Sequence, residues 1–247
     1  MSEDEAFAAA VANGAFAGMN KPAFERKEEL AEGVVLYLGD CLEVLPTLGK
    51  FGALVTDPPY GIADKWKGGF NAKHGWGKAK LESALRNKWD AEPLDEQAIS
   101  IILGAASQAI IWGGNYFPLP PSRCWLVWNK PERNFTLAEA ELAWTNIDAV
   151  VRVIDAVRSD VGREHPTQKP LEVMRWSVGK TKGSVVDPFL GSGTTGVAAV
   201  KAGRPFSGIE IDAGYFDMAC RRIEAALKEP DMFAAAPQPM KQEALPL

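Results

Sequence analysis

The stretch that most restricts the fold is Val185-Val186-Asp187-Pro188-Phe189-Leu190-Gly191-Ser192-Gly193-Thr194-Thr195-Gly196. A short apolar run ends on an acid, a glycine turn follows, and small residues open a helix. Gly191, Gly193 and Gly196 satisfy G-x-G-x-x-G, where absent side chains permit a tight turn and close approach of a ligand to the backbone. Glu210 ends the next apolar run, seventeen positions after Gly193, near the roughly 20-residue offset at which a carboxylate meets ribose hydroxyls. The unit suits an adenosine-bearing cofactor. It is not a P-loop, because the Gly-Lys-Ser/Thr ending is missing. Asp187, directly before the turn, suits an ammonium group such as that of S-adenosylmethionine (AdoMet) better than a pyrophosphate. Thr194 or Thr195 could equally cap the helix, and Asp212 reads as a cap.

From residue 34 onward, short apolar runs alternate with helical patterns, the signature of βα units and a mostly parallel sheet. Strands are expected over residues 34–38, 53–56, 109–112, 125–128, 149–154, 185–187 and 206–211. Helices are expected over 41–48, 95–107, 171–180, 194–202 and 213–228. Residues 1–30 lack strong periodicity and read as a flexible N-terminal arm, and 230–247, rich in Ala, Pro and Gln, as a disordered tail. With no internal repeat, one α/β domain is expected over 31–229. The 247 residues are 47% hydrophobic and 24% charged, ordinary for a globular chain. No apolar run approaches the roughly 18 residues of a membrane span, and Glu3-Asp4-Glu5 ahead of the apolar segment 6–19 is the wrong start for a secretory signal. Cys41, Cys124 and Cys220 lie far apart, and with two histidines they show no metal-ligand spacing. A reduced, cytoplasmic protein without metal, disulfide or membrane contact is expected.

The net charge of −5 is unevenly distributed. Residues 61–90 carry Lys65, Lys67, Lys73, Lys78, Lys80, Arg86 and Lys88 against three acids, a local net of +4. Trp66, Phe70, His74, Trp76, Gly68, Gly69, Gly75 and Gly77 are interleaved with them. Lysines mixed with aromatics on a glycine-rich loop suit phosphate contacts and base stacking. A merely solvated loop is the alternative. Placement directly after the next motif favours DNA contact.

That motif is Leu54-Val55-Thr56-Asp57-Pro58-Pro59-Tyr60-Gly61. Two prolines end a strand stiffly, since proline cannot continue the ladder. The lone pair of a nucleobase amine is delocalised into its ring and is a poor nucleophile. Asp57 and a rigidly held Pro58 carbonyl can accept its two N–H groups, freeing the lone pair for attack on a methyl sulfonium. Pro59 helps to fix that carbonyl, and Tyr60 offers a face on which a swung-out base can stack.

Asp57-Pro58-Pro59-Tyr60 resembles the catalytic motif of the amino-group DNA methyltransferases, which act on adenine N6 or cytosine N4. Asp187 through Thr195 resembles their AdoMet motif. His165-Pro166-Thr167-Gln168-Lys169-Pro170 is similar to the segment that closes over the methionine end of AdoMet in that family, and Gly39-Asp40-Cys41 to its contact near the cofactor adenine. Trp112 to Phe117 and Trp125 to Lys130 are similar to later strands of small prophage-type members. The resemblance spans residues 34–228, and the catalytic motif precedes the cofactor motif, as in the circularly permuted β group. It implies a Rossmann-like class I methyltransferase domain with a mostly parallel, permuted sheet flanked by helices. The implied catalytic residues are Asp57, Pro58, Pro59 and Tyr60. The implied AdoMet residues are Asp40, Cys41, His165, Thr167, Lys169, Asp187, Phe189, Gly191, Ser192, Gly193, Thr194 and Glu210. Lys65, Lys67, Lys73, Lys78, Lys80 and Arg86 would contact double-stranded DNA. Relatives in the permuted group are often dimers, so a homodimer is one implied assembly.

Other readings of single residues stay open. Asp40 could simply cap the following helix, His165 and Lys169 could pair with surface acids, and Trp144 reads as a core aromatic. Larger family members place target recognition between the later sheet motifs and the His-Pro segment. Here about twenty residues separate Thr145 from His165, so sequence reading falls to 61–90 or extends over only a short site. The expected activity is AdoMet-dependent methylation of adenine N6 in DNA, by a cytoplasmic enzyme of a bacterial or phage-infected cell. Cytosine N4 is the alternative, with an NAD-dependent oxidoreductase a remote one resting on the glycine turn alone. Cytosine C5 chemistry would need a thiolate from a Pro-Cys pair, which the sequence lacks.

Overall fold

The computed structural model describes residues 22–61, 94–131, 138–157 and 169–229. His165 and Thr167, the basic residues of 61–90, most of the expected arm and the expected tail lie outside the described residues.

One nine-stranded sheet organises the described residues. Its strands in chain order are β1 (Arg26–Ala31), β2 (Val34–Leu38), β3 (Phe51–Thr56), β4 (Ala106–Trp112), β5 (Trp125–Asn129), β6 (Ala140–Thr145), β7 (Arg152–Asp155), β8 (Val185–Asp187) and β9 (Phe206–Glu210). They lie side by side as β1-β2-β9-β8-β3-β4-β6-β5-β7. The run from β2 to β4 is parallel throughout; β1 and β6 oppose their neighbours. The expected α/β class with a mostly parallel sheet is thus what the chain adopts.

Alternation along the central strands sends side chains to two cores. Leu36, Val55, Ile110 and Trp112 face one side, where they meet α3 (Leu171–Val178), α4 (Thr194–Lys201) and α5 (Ala213–Lys228) through Met174, Val197, Phe216 and Ile223. Tyr37, Leu54, Ile111, Val186 and Ile209 face the other, against α1 (Cys41–Val44) and α2 (Glu96–Gly104). Both faces are covered, as parallel sheets require. Along α5, Phe216 and Ile223 are fully buried, whereas Leu227 is exposed. Gly196 lets α4 seat on this layer: a Cβ there would lie 2.4 Å from Ile223 and 2.8 Å from Phe206.

Several elements differ from the sequence expectation. Arg26–Ala31, within the expected arm, is a strand pairing antiparallel with β2. Its charged alternation fits an edge with one solvated face, and Arg26 anchors it to α5 by pairing with Asp217 and lying 4.4 Å over the Phe216 ring. Ala140–Thr145, for which no strand was expected, sits inside the sheet between β4 and β5. The strand expected over 149–154 forms only at Arg152–Asp155, pairing with β5 alone and leaving Val150, Val151 and Val153 exposed. In addition, the helix expected over 41–48 tightens after Val44 into a 3-10 turn, Leu45–Thr47, with Pro46 near its start.

Candidate active site

β3 and β8 are parallel neighbours, paired through Ala53 with Val185 and Leu54 with Val186. Their carboxyl ends therefore deliver Asp57 and Asp187 to the same edge of the sheet, where open α/β sheets bind ligands. The buried Thr56 hydroxyl donates to Asp187 Oδ1 at 2.6 Å. A cavity of about 530 Å³ opens there, lined both by Asp57 and Pro59 and by Asp187, Phe189 and Gly191. Two corners 130 residues apart in the chain share one cleft.

Each wall is built by local rules. Asp187 follows the strand and also accepts the Phe189 N–H at 3.0 Å. Burial pushes its carboxyl up to about 6, opposed by the hydroxyls of Thr195 and Thr56. Gly193 has φ +83° and precedes α4; a Cβ on it would stand 2.9 Å from that of Ala219 on α5. Gly193 thus serves the turn and its packing, and it is not among the residues lining the cavity, unlike Gly191, Ser192 and Thr194. Arg222 of α5 clamps the turn from outside, donating to the Ser192 carbonyl and, at 2.8 Å, to its hydroxyl. No motif announces that arginine.

Glu210 ends β9 and lines the cavity. One oxygen accepts Gly191 N–H at 2.7 Å, and the other accepts Ile211 and Asp212 N–H at 2.9 and 2.8 Å. It therefore shapes the glycine turn as well as facing the cavity. Burial nonetheless raises its carboxyl above the ordinary range, these three donors opposing the shift. Asp40 caps α1 by accepting Leu42 N–H at 2.8 Å, and both it and Cys41 line the same cavity. Burial pushes the Cys41 thiol up to about 12, so it is no nucleophile at neutral pH. Asp212 caps α5 through Tyr215 N–H, as expected.

The opposite end of the cleft is a chain of charges in which two buried lysines meet two half-buried carboxylates. Lys169, just before α3, places Nζ 2.7 Å from Asp57 Oδ1 and 3.0 Å from Glu141 Oε2. The same ammonium donates to the Tyr60 hydroxyl at 2.9 Å, and Tyr60 donates to Asp57 at 2.5 Å. Lys130, itself buried, pairs with the other Glu141 oxygen at 2.5 Å. The two lysines hold the Glu141 carboxyl down to about 2 against burial. Burial raises Asp57 above its ordinary value, with Lys169 opposing. The Tyr60 ring stacks on Tyr116, centroids 5.0 Å apart and planes 17° from parallel. A Cβ on Gly113, whose φ is +69°, would stand 2.1 Å from that ring. Trp144 is a core aromatic, its indole N–H donating to the Pro120 carbonyl at 2.6 Å.

Lys169, which the resemblance assigned to the cofactor, lines the cavity but makes its ion pairs with Asp57 and Glu141. Sequence reasoning gave no role to Glu141 or Lys130. Among the described residues, no group of three or more His, Cys, Asp or Glu could hold a metal ion, and no helix is long and apolar enough to cross a membrane.

An open, mostly parallel sheet with a ligand cavity at its carboxyl edge, and a strand order in which the Asp-Pro-Pro-Tyr corner precedes the glycine turn, defines a Rossmann-like domain of the permuted kind. Residues 111–221 match the N6/N4 family model described as DNA methylase. A 65-residue stretch is 46% identical to the type II methyltransferase M2.DpnII of Streptococcus pneumoniae, covering 25% of this chain and 24% of that protein. A 70-residue stretch is 43% identical to the DNA adenine methyltransferase YhdJ of Escherichia coli K12, covering 27% and 24%. The matches thus span about a quarter of these relatives' length. Among solved structures, the M1.HpyAVI–SAM complex is similar with a TM-score of 0.46 and 24% identity, over 76% of this chain and 98% of that one. The cytosine-N4-specific PvuII DNA methyltransferase gives 0.48 and 13%, over 76% and 85%.

Proposed function

We propose that this protein transfers a methyl group from AdoMet to the exocyclic N6 of an adenine swung out of double-stranded DNA. The observation carrying this reading is the single cavity lined by both Asp57 and Asp187. Its lining favours a cationic ligand: Asp40, Asp187, Glu210 and Asp212 stand against Lys169, the one basic residue among the described lining residues. That balance fits a sulfonium and an ammonium and disfavours the pyrophosphate of NAD. Apolar Phe189, Ile209 and Ile211 offer a surface for a purine ring.

In this reading Asp187 would hold the ammonium, Glu210 the ribose hydroxyls, and Asp40 and Cys41 the adenine side of the cofactor. When bound, AdoMet supplies an electrophilic methyl on sulfur. Asp57 and the Pro58 carbonyl accept the two N–H groups of the target amine and expose its lone pair. Tyr60, now stacked on Tyr116 and bonded to Asp57, releases that acceptor and offers its ring to the base. Lys65, Lys67, Lys73, Lys78, Lys80 and Arg86 of the segment after this corner would supply phosphate contacts, and His165 and Thr167 would complete the methionine end.

Adenine is favoured over cytosine N4 by the Asp at the head of the motif and by the stretch shared with an adenine methyltransferase. Incubating mixed-sequence DNA with methyl-labelled AdoMet, then digesting it and separating the nucleosides, tests this. Label in N6-methyladenine is expected. Label in N4-methylcytosine would reassign the base, and no incorporation would remove the reading.

A further inference from the structure

The charge chain Lys130–Glu141–Lys169–Asp57 has a geometry beyond what a cofactor contact needs. Lys169 is 5% exposed at its side chain and engages Asp57, Glu141 and the Tyr60 hydroxyl. Three ammonium donors thus meet three acceptors. Its Nζ also lies 5.3 Å over the Trp112 ring and 5.6 Å over that of Tyr60. Glu141 cannot shift toward Asp57, because its second oxygen is held by the buried Lys130, whose backbone N–H bonds the Glu139 carbonyl at 2.9 Å. Paired β5 and β6 thus fix Glu141, Glu141 fixes Lys169, and Lys169 stands beside the carboxylate that must accept the target amine.

We propose that Lys169, braced by Glu141 and Lys130, is a positioning residue that keeps Asp57 anionic and aimed at the target amine. The inference rests on Asp57 being the amine acceptor. A protonated Asp57 would offer that amine a donor where an acceptor is needed, and the surroundings push that way. Asp57 is faced by Tyr60 from its own corner, Glu141 from β6 and Asp187 from β8, with Tyr116 behind Tyr60. Lys169 is the cation in contact with it. Without that ammonium, burial and two neighbouring carboxylates would favour protonation.

The test is carboxyl-carbon NMR of full-length protein labelled at aspartate, with the Asp57 signal assigned through Asp57→Asn. It is run beside AdoMet calorimetry and the pH dependence of single-turnover methylation. Lys169→Met should raise the Asp57 titration by about 1–3 pH units, the range expected for losing an adjacent opposite charge. The acid limb of methylation should move with it while AdoMet affinity stays within about threefold. Lys169→Arg, keeping the charge, should return the titration to near its original position. An unmoved Asp57 titration overturns the proposal, as does a large loss of AdoMet affinity with the acid limb unchanged. Should Lys169→Met fail to fold, Glu141→Gln decides. It should lower turnover about ten- to a hundredfold through misplacement at unchanged AdoMet affinity, and undiminished turnover overturns the assignment. A titration that moves in a protein unable to methylate DNA would refute the proposed activity while showing that Lys169 still sets the charge of Asp57.

Discussion

Thr56 and Asp187, last residues of neighbouring parallel strands, are joined by a buried 2.6 Å hydrogen bond that ties the Asp-Pro-Pro-Tyr corner to the glycine-turn corner. The bond makes Asp187 a shared part: one edge of its carboxylate is engaged inside the sheet while the residue lines the cavity. Replacing Thr56 with Val keeps the shape and removes the donor. Hydrogen bonds to charged groups are worth about 1.5–3 kcal/mol. With part of that felt at the cavity, AdoMet affinity should fall roughly three- to tenfold. Calorimetry on Thr56→Val checks this, and unchanged affinity would mean that the bond is irrelevant to the cavity.

Asp187 also sets a pH dependence. Burial pushes it up to about 6, from near 3.8 in an exposed carboxyl. Between those values the native state binds more protons than the unfolded state. Its contribution to stability therefore falls as pH rises through that window, by about 3 kcal/mol at the limit. Asp187→Asn should melt at a higher temperature than the wild type at pH 7.5, and the gap should narrow toward pH 4. If ionised Asp187 holds AdoMet, wild-type affinity should decline as pH drops below about 6, and the same substitution should remove that decline. Thermal melts and binding at both pH values decide, and parallel pH curves for the two proteins would argue against an ionised Asp187 as the ligand.

Gly113 is a steric determinant of where Tyr60 stands. Its positive φ and the 2.1 Å approach of a would-be Cβ to the Tyr60 ring mean that Gly113→Ala displaces the tyrosine or strains the turn. A loss of about 1–3 kcal/mol in stability and a fall in turnover greater than any change in AdoMet affinity are expected. Denaturant unfolding and initial rates measure both. A fully active, equally stable variant would show that Tyr60 need not stand against Gly113.

Much of this was legible in the sequence because local rules and tertiary demands agree. The strands at Val34–Leu38 and Val185–Asp187 and the helix at Ala213–Lys228 have the expected bounds. There, apolar periodicity, the glycine turn and the Asp212 cap all point one way. Ala140–Thr145 escaped notice because Ala-Glu-Leu-Ala is helix-favouring composition, and only pairing with β4 and β5 makes it a strand. Its Glu141 looks like a solvated charge until folding brings Lys130 and Lys169 to it. Likewise, 149–154 reads as one strand from its valines, yet only Arg152–Asp155 finds a partner, at the edge of the sheet. Glu210 reads as a ligand from its place at the end of a buried strand, whereas only the folded turn brings three backbone donors to it.

If the segment after the Asp-Pro-Pro-Tyr corner carries DNA, its lysines govern the salt dependence of binding. Each phosphate contact adds about 0.9 to the slope of log affinity against log salt on duplex DNA. Substituting Lys65, Lys67, Lys73, Lys78 and Lys80 together with Gln should flatten the slope by several units in fluorescence anisotropy titrations. An unchanged slope would place the DNA elsewhere on the protein.

The central claim is that Asp57 acts on the target amine across a cleft whose other wall holds AdoMet. Its most direct test pairs two readings on Asp57→Ala: methyl transfer to DNA and calorimetric AdoMet affinity. The account predicts that transfer is lost, by about a thousandfold or more for a preorganised acceptor at the reacting group, while affinity stays near that of the wild type. Retained transfer, or affinity lost along with transfer in a folded protein, would contradict it.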